Sequence, residues 1–416
     1  MIALKGIVVG VLTEQDAKLS MEEIKNLADT AGIVVYNEFT QNVKKINAST
    51  CIGKGKVEEI KAAVVKNDID VVIFDRDLTP SQQQNLEAEL ETQVVDRTGI
   101  ILDIFSKRAK SKEGKIQVEL AQLTYKLSRL KGMGNEMSRL GGGIGTRGPG
   151  ESKLESDRRT IRDKITRLKH ELKIIERNRM LHRQQRDKKH IPQIAIVGYT
   201  NAGKSTLINL LTSAQTFVED KLFATLDPTT KKLKLSTGKQ AVITDTVGFI
   251  EKLPHNLIEA FKSTFEEIRE ADLLLHIIDI SNPDFYNQTR VVKEVLESMN
   301  IIDIPSLYVY NKIDIADVPK ETFLRYPKER PFVMMSALQG IGTEELLAKI
   351  EEALSSFWVT IKIKVGHVDP WILSFLLSNG YIIKQEEKKG YSIIEVELPK
   401  NIAIKLKKSL PSKQFI

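Results

Sequence analysis

The sequence predicts a multidomain α/β chain with four parts. These are an N-terminal α/β domain with a parallel sheet over 1–108 and an antiparallel helical hairpin over 109–190, then a doubly wound phosphate-loop domain over 191–357 and a small α+β domain over 358–416. Three observations carry this reading. Short apolar runs alternate with helical patterns in the first and third parts, as parallel sheets with crossover helices require. Between them, two heptad-spaced apolar seams flank a glycine-rich stretch. Beyond the second seam, an apolar run leads into GxxxxGKS and then a helical pattern.

Composition sets the outer bounds. A chain of 416 residues supports roughly two to four domains, and 41% apolar content lets each bury a core. The longest apolar stretch, "ADLLLHIIDI" from Ala271 to Ile280, is too short to span a bilayer, and "MIALKGIVVGVLTEQD" offers no basic leader with a cleavage site. A cytoplasmic protein without a transmembrane segment is expected. The single cysteine, Cys51, excludes an intrachain disulfide framework and a cysteine metal cluster. The six histidines, His170, His182 and His190 among them, show no metal-ligand spacing and read as residues of solvated helix faces. Nothing resembles a Ser-His-Asp set with a nucleophile elbow, and no internal repeat is visible.

In the first part, "GIVVGVL", "GIVVYNEF", "DVVIFD" and "TQVVD" read as strands, with "MEEIKNLADTAG" and "GKVEEIKAAVVKN" as helices between them. "GKGK", Gly53 to Lys56, can meet a phosphate at a helix start, but no Walker sequence surrounds it, so a structural turn is the better reading.

The second part has apolar residues at Ile116, Leu120, Leu123, Leu127 and Leu130, and again at Ile161, Ile165, Leu168, Leu172 and Ile175. Alternating steps of four and three give each segment a heptad seam, and two such helices pack as an αα-hairpin. The tip loop is expected over 132–150, where "RLGGGIGTRGPGESK" places seven glycines or prolines in fifteen residues. Ser152 or Ser156 is expected to cap the second helix, with Glu151, Glu155 and Asp157 suiting its dipole. Between Lys107 and His190 there are 24 Lys or Arg against 10 Asp or Glu, a net of +14; the whole chain carries +7, so the remainder is −7. One basic segment in an otherwise acidic chain is the electrostatic footprint of a nucleic-acid contact. The candidate RNA contacts are Arg139, Gly141, Gly142, Gly143, Gly145, Arg147, Gly148 and Gly150 at the tip, with Arg158 and Arg159 behind it. There glycines let backbone approach RNA and guanidinium groups meet phosphate or stack on bases.

The chemistry lies in the third part. "IPQIAIVGYTNAGKSTLINLL" gives a strand, a phosphate loop and a helix, so Gly198, Tyr199, Thr200, Asn201, Ala202 and Gly203 are expected to wrap the phosphates with backbone N–H groups. Lys204 would sit between the β- and γ-phosphates, Ser205 would ligate Mg²⁺, and Thr206 would follow in the first turn. "AVITDTVGF" ends an apolar strand with Asp245 for a magnesium-bound water. Thr246 and Val247 lead on to Gly248, whose N–H can sense the γ-phosphate. "LYVYNKID" supplies Asn311, Lys312, Ile313 and Asp314. A carboxylate at Asp314 can accept from both N1–H and N2–H of guanine, and adenine has no donor at either place. "PFVMMSALQG" adds Ser336, Ala337 and Leu338, where a backbone N–H can meet guanine O6. Together these motifs specify a GTP/GDP-binding doubly wound domain. Between phosphate loop and "DTVGF", the segment "KLFATLDPTTKKL" should close a threonine onto Mg²⁺, and Thr225, Thr229 and Thr230 all qualify chemically. The fourth part reads as strand "WVTIKIKVG", helix "DPWILSFLLSNG", hairpin "YIIKQEEKKGYSIIEVELP" and a basic final helix, with no catalytic constellation.

The runs "GGGIGTRGPGE" with "LESDRR", "GYTNAGKSTL", "LFATLDPTT" and "DTVGFI" together resemble the HflX family of ribosome-associated GTPases. The likeness extends upstream through "IGKGKVEEI", "VVIFDRDLTPSQQQNLE" and "VVDRTGIILDIFSKRAKSKEGKIQVELAQL". It implies a GTPase that binds the large ribosomal subunit (50S) and its rRNA, splits or rescues stalled ribosomes, and inserts its hairpin tip near the peptidyl transferase centre. It also implies that Thr225 is the magnesium ligand, with Phe223, Ala224, Leu226 and Asp227 beside the nucleotide, and it leaves ATP binding by the N-terminal domain open. The catalytic set so implied is Lys204, Thr225, Asp245 and Gly248.

Phe249 occupies the place where many regulatory GTPases carry a water-orienting glutamine, so intrinsic hydrolysis should be slow and stimulated by the ribosome. Asn201 resembles an asparagine that recruits K⁺ in related GTPases, although a turn residue explains it equally well. A monomer that engages ribosomes and not DNA is expected. Two functional classes remain, a hydrolytic splitting factor and a GTP-switched assembly or dormancy factor, with an ATP-dependent RNA remodeller as a further alternative.

Lys204→Ala and Asp314→Asn are expected to fail differently. The first should lose phosphate binding, and the second should lose the preference for GTP over ATP. Competition of each nucleotide against a labelled guanine nucleotide reads both, and effective ATP competition in the unsubstituted protein would remove the base assignment.

Overall fold

The computed structural model describes residues 4–12, 19–140, 149–187, 191–212, 221–251, 262–301, 303–316, 329–366, 370–411 and 415. Two compact units emerge. The first comprises 1–176, 219–227 and 250–263, and the second 177–218, 228–249 and 264–416. Residues 221–227 pack with the N-terminal unit although the motif "LFATLDPTT" associates them with the nucleotide.

In the first unit, β1 (Leu4–Leu12), α1 (Leu19–Thr30), β2 (Ile33–Asn42), α2 (Lys54–Asn67), β3 (Val71–Phe74), α3 (Pro80–Leu90), β4 (Gln93–Asp96) and α4 (Arg97–Arg108) alternate. The strands form one sheet in the order β2-β1-β3-β4, parallel throughout, as the alternating pattern predicts. Its core gathers Ile7, Val9, Ile60, Val72, Phe74 and Leu86. Helix α3 opens with a capping box, Thr79 accepting from the Gln82 N–H and Gln82 reaching back to the Thr79 N–H, with Pro80 at its first position. Cys51, buried beside that core, takes a left-handed backbone angle (φ 65°), and burial pushes its thiol up. At "GKGK", Lys56 pairs with Glu59 at 2.5 Å and lies over the Phe39 ring, which supports the structural reading of that turn.

The hairpin helices are α5 (Lys112–Leu140) and α6 (Pro149–Asp187). Ile116, Leu120, Leu168 and Leu172 are buried together, with Leu123, Ile165 and Ile175 packed against them. The Lys164–Glu119 ion pair at 2.5 Å and the Arg158 guanidinium donating to the Leu130 carbonyl confirm the antiparallel register.

Two boundaries differ from expectation. Helix α5 runs on to Leu140, so 132–140 is helix where a loop was expected: Gly132 and Gly134 cost a helix only about 1 kcal/mol each, and good helix formers such as Lys131, Met133, Glu136 and Met137 surround them. Helix α6 already begins at Pro149, upstream of Ser152 and Ser156, so neither serine caps it; proline suits a first turn, whose N–H groups have no helical partner.

The second unit contains β5 (Gln193–Gly198), α7 (Lys204–Thr212), β6 (Thr229–Lys234), β7 (Gln240–Asp245), α8 (Lys262–Arg269, its first residues in the other unit), β8 (Leu273–Asp279), α9 (Phe285–Ser298), β9 (Ser306–Asn311), β10 (Phe332–Met334) and α10 (Thr343–Leu354). The sheet order is β10-β9-β8-β5-β7-β6, with only β6 antiparallel. After it, β11 (Trp358–Gly366), α11 (Pro370–Asn379), β12 (Tyr381–Lys388), β13 (Tyr391–Pro399) and α12 (Lys400–Ser409) make an antiparallel β11-β13-β12 sheet covered by two helices. Among the described residues no helix is long and apolar enough to cross a membrane, and no cluster of His, Cys, Asp or Glu could hold a metal ion.

Leu168→Ala, which leaves a cavity in a thin seam, should weaken the hairpin by about 2–4 kcal/mol. Amide hydrogen exchange over 116–127 measures it: protection there should fall while that of β5 and β8 stays unchanged.

Candidate functional site

The five parallel strands of the second unit's sheet send loops from their carboxyl ends, where doubly wound folds bind ligands. Strand β5 ends at Gly198 and α7 begins at Lys204, so the phosphate-loop sequence forms the expected strand-to-helix turn. Gly203 has φ 93°, and a Cβ there would collide with the Asn311 amide nitrogen, so glycine is required twice over. Asn201 is exposed with φ 61°, a left-handed position that asparagine tolerates better than most residues. That conformation is itself a sufficient reason for Asn201.

Lys204 is buried, and its Nζ donates to the Tyr199 carbonyl at 2.7 Å and the Gly198 carbonyl at 3.2 Å. Burial pushes its pKa down to about 8; Asp245 opposes that and Lys312 reinforces it. The Ser205 hydroxyl donates to Asp245 Oδ2 at 2.9 Å, with Asp245 only 1% exposed. A serine oxygen backed by a buried carboxylate is the hard-oxygen environment that Mg²⁺ takes. Tyr199 is buried in the loop, and Thr206 is half-buried on α7.

The segment after β7 is zipped to the phosphate loop. The Thr200 N–H donates to the Phe249 carbonyl at 2.7 Å, and the Phe249 N–H to the Gly198 carbonyl at 3.1 Å. Thr246 Oγ1 donates to the Ile196 carbonyl at 2.5 Å, and Val247 is buried beside it. A Cβ on Gly248 would lie 2.9 Å from both Lys204 Nζ and Thr200 Cγ2, so only glycine leaves the loop's phosphate side clear. The buried Thr200 Oγ1 has no hydrogen-bond partner, which fits a ligand rich in acceptor oxygens. Phe249 is fully buried and stacks on Phe265 at 5.8 Å; it is a core residue, far from being able to orient water.

The base-reading residues divide in two. Asn311 is 3% exposed, and its amide donates to the Ala202 carbonyl at 2.9 Å while accepting from the Ala337 N–H at 2.9 Å. It therefore fastens the phosphate loop to the "SAL" loop rather than pointing freely toward a base. Lys312, at φ 66°, pairs with Asp279 at 2.7 Å, and Ile313 and Asp314 follow half-buried. Ser336 is fully buried, with its Oγ accepting from the Gln339 N–H, whereas Leu338 is 79% exposed.

Several sequence candidates are placed elsewhere. Phe223, Ala224, Thr225, Leu226 and Asp227 pack in the first unit. There Phe223 is buried edge-on to Phe105 at 4.7 Å, and the Asp227 carboxylate accepts from the Lys110 and Ser111 N–H groups just ahead of α5, whose cap is Ser111, its Oγ accepting from the Gly114 N–H at 2.8 Å. Arg158 turns inward onto Leu130, while Arg159 is exposed. The side chain of Arg139, and all of Gly141, Gly142, Gly143, Gly145, Arg147 and Gly148, lie outside the described residues, while Gly150 is backbone of the first turn of α6. His276 corrects the reading of the histidines. It lies on β8 within "LLLHIID", 3% exposed and tilted against Tyr308, and burial pushes it down to about 3, so it stays neutral. An apolar strand had marked it, but its class had been inferred from its helical neighbours.

Comparison with known proteins follows this geometry. Three family models match in succession: "GTP-binding GTPase N-terminal" over 18–106, "GTP-binding GTPase Middle Region" over 108–186 and "50S ribosome-binding GTPase" over 193–312. The GTPase HflX of Caldanaerobacter subterraneus subsp. tengcongensis is 48% identical over 390 residues, covering 94% of this chain and 90% of that one. The GTPase HflX of Escherichia coli K12 is 41% identical over 353 residues, covering 84% and 83%. Among solved structures, a GTP-binding protein of Sulfolobus solfataricus in complex with GDP is 25% identical, covers 84% of this chain and 99% of its own, and has a TM-score of 0.46.

The lowered pKa of Lys204 gives a signed expectation. Only the protonated amine attracts phosphate, and phosphate oxygens pull its pKa back up, so binding takes up a proton once pH exceeds about 8. GDP affinity should therefore fall by about ten-fold between pH 7 and pH 9, following the linkage of protonation to binding. Titration calorimetry in buffers of different ionisation heat should show proton uptake at pH 9 and almost none at pH 7.

Proposed function

The chain belongs to the HflX family of GTPases, and on that footing we propose that its hairpin carries the GTPase onto the large ribosomal subunit (50S), where a GTP-driven cycle splits or rescues stalled ribosomes. GTP hydrolysis to GDP and phosphate is the activity of the family, with guanine nucleotide and Mg²⁺ as its ligands. The observation that carries the proposal is the hairpin. Two long, basic, antiparallel helices hold a glycine-rich run of sequence at their far end, and only a thin apolar seam joins them. Such an arm suits a narrow, phosphate-lined cavity of rRNA better than a protein groove.

In this reading Lys204 neutralises the β- and γ-phosphates, and Ser205 with Thr225 would hold Mg²⁺, which supplies charge neutralisation between the phosphates when bound. Gly248 N–H senses the γ-phosphate. Asp314 reads the guanine edge, while Asn311 keeps the two loops around it at a fixed spacing. With Phe249 in the core, no side chain follows Gly248 to orient water. Intrinsic hydrolysis is therefore slow, and ribosome docking completes the site. Asn201 would recruit K⁺ in this scheme; equal hydrolysis rates in K⁺ and Na⁺ would leave it as a turn residue. The arm's tip reaches toward the peptidyl transferase centre, the factor acts as a monomer in the cytoplasm, and hydrolysis ends its stay on the subunit.

The deciding experiment is sucrose-gradient sedimentation of ribosomes with this protein and GTP, GDP or a nonhydrolysable analogue, alongside phosphate release. Conversion to subunits with stimulated release is expected. Deletion of 141–150 should abolish that conversion and leave GDP affinity intact. Cosedimentation with the large subunit without conversion would favour an assembly or dormancy factor, and neither binding nor stimulation would overturn the ribosomal proposal.

A further inference from the structure

Helix α4 has contacts at both ends that its own sheet does not need. Its first residue, Arg97, is 2% exposed and pairs with Asp75 at 2.5 Å and with Glu23. The same guanidinium donates to the Glu251 carbonyl at 3.0 Å, three residues beyond Gly248. Near its other end Phe105 packs edge-on to Phe223, two residues before Thr225. Just past that end, the Lys110 and Ser111 N–H groups and the Ser111 hydroxyl all donate to Asp227, two residues after Thr225. A Cβ on Gly114, in the first turn of α5, would collide with the same carboxylate. Thr225 is thus bracketed on both sides by a twelve-residue helix and its junction with the hairpin, and the same helix holds Glu251.

The hairpin is rooted at the same place. Asp96, the residue before Arg97, is wholly buried; it caps α4 through the Gly99 N–H at 2.8 Å and accepts from the Tyr125 hydroxyl at 2.7 Å and from Arg129. Tyr125 and Arg129 are one turn apart on α5, with the guanidinium 4.0 Å from the ring centroid. Packed elements of this kind have discrete arrangements rather than a continuous range, so a nucleotide that moves the segment around Thr225 must move α4 or release it.

We propose that α4 couples the nucleotide-sensing segments to the root of the hairpin, with Arg97 and Asp227 as positioning residues for hydrolysis. The proposal rests on the GTPase activity and on the proposed roles of Thr225 and Gly248 at the nucleotide, and ribosome splitting is not needed for it. Coupling of this kind is reciprocal: whatever the nucleotide does to the hairpin root, force on the hairpin does to the nucleotide site.

The test uses the full chain. Arg97→Lys keeps the charge beside Asp75 and Glu23 but lacks the fork that reaches a third acceptor. Its kcat for GTP should fall at least about five-fold, the low end of typical coupling effects, while GDP affinity changes less than about two-fold. Because a buried arginine can be needed for folding, two measurements stand beside it. Ser111→Ala, at an exposed junction, should shift kcat in the same split from KM. In the unsubstituted protein, amide exchange over 110–116 should differ between GDP and a nonhydrolysable GTP analogue, and in Asp227→Ala that difference should vanish. Unchanged kcat in folded Arg97→Lys and Ser111→Ala, or identical exchange in both nucleotide states, would overturn the coupling. Loss of guanine-nucleotide binding by the unsubstituted chain would instead strike at the GTPase assignment.

Discussion

The arrangement of the N-terminal unit depends on one buried carboxylate. Asp96 ends the last strand of its parallel sheet, and no water reaches it, so its two oxygens must find donors within the protein. They find them in the α4 backbone, in the loop at Leu78 and in two side chains of the hairpin. Sheet, helix and hairpin arm are consequently held by one group that cannot lose a partner cheaply. Tyr125 answers the same burial, its hydroxyl being pushed far above the ordinary phenol range, chiefly by desolvation and then by the charge of Asp96. It remains a neutral donor throughout the biological range.

The nucleotide domain uses the same device with a neutral group. Asn311 offers a donor and an acceptor in one plane, and each is used by a different loop. A carboxylate at that position could not donate to the Ala202 carbonyl, and an apolar side chain would leave two buried backbone groups unsatisfied, each at about 1–3 kcal/mol. The requirement for asparagine is thus explained by loop spacing alone.

Much of this was legible in the sequence because phosphate and base recognition impose fixed spacings. A strand must end at Gly198, a helix must begin near Lys204, and Asp245 and Asn311 must close their own strands; all four do. The hairpin seam was equally plain, since Leu120 and Leu168 repeat with a period that only paired helices satisfy. The remainder depends on partners far apart in the chain. Asp227 looks like a residue of a nucleotide loop and holds the backbone just ahead of the hairpin, more than a hundred residues earlier. Arg97 looks like a helix-starting basic residue and grips a carbonyl 154 positions away. No local period encodes such pairings, because neither partner changes the pattern around it. Gly132 and Gly134 misled in the opposite sense, their local preference being outweighed by the helix formers Lys131, Met133, Glu136 and Met137 around them.

Cys51 adds a different consequence. It is the chain's one cysteine, set in a left-handed turn under the N-terminal core, and its thiol is both enclosed and weakly acidic. Oxidants and electrophiles attack the thiolate, and a thiol that holds its proton at neutral pH offers them very little of it. Enclosure and a held proton thus make Cys51 a poor target for peroxide or disulfide exchange at neutral pH.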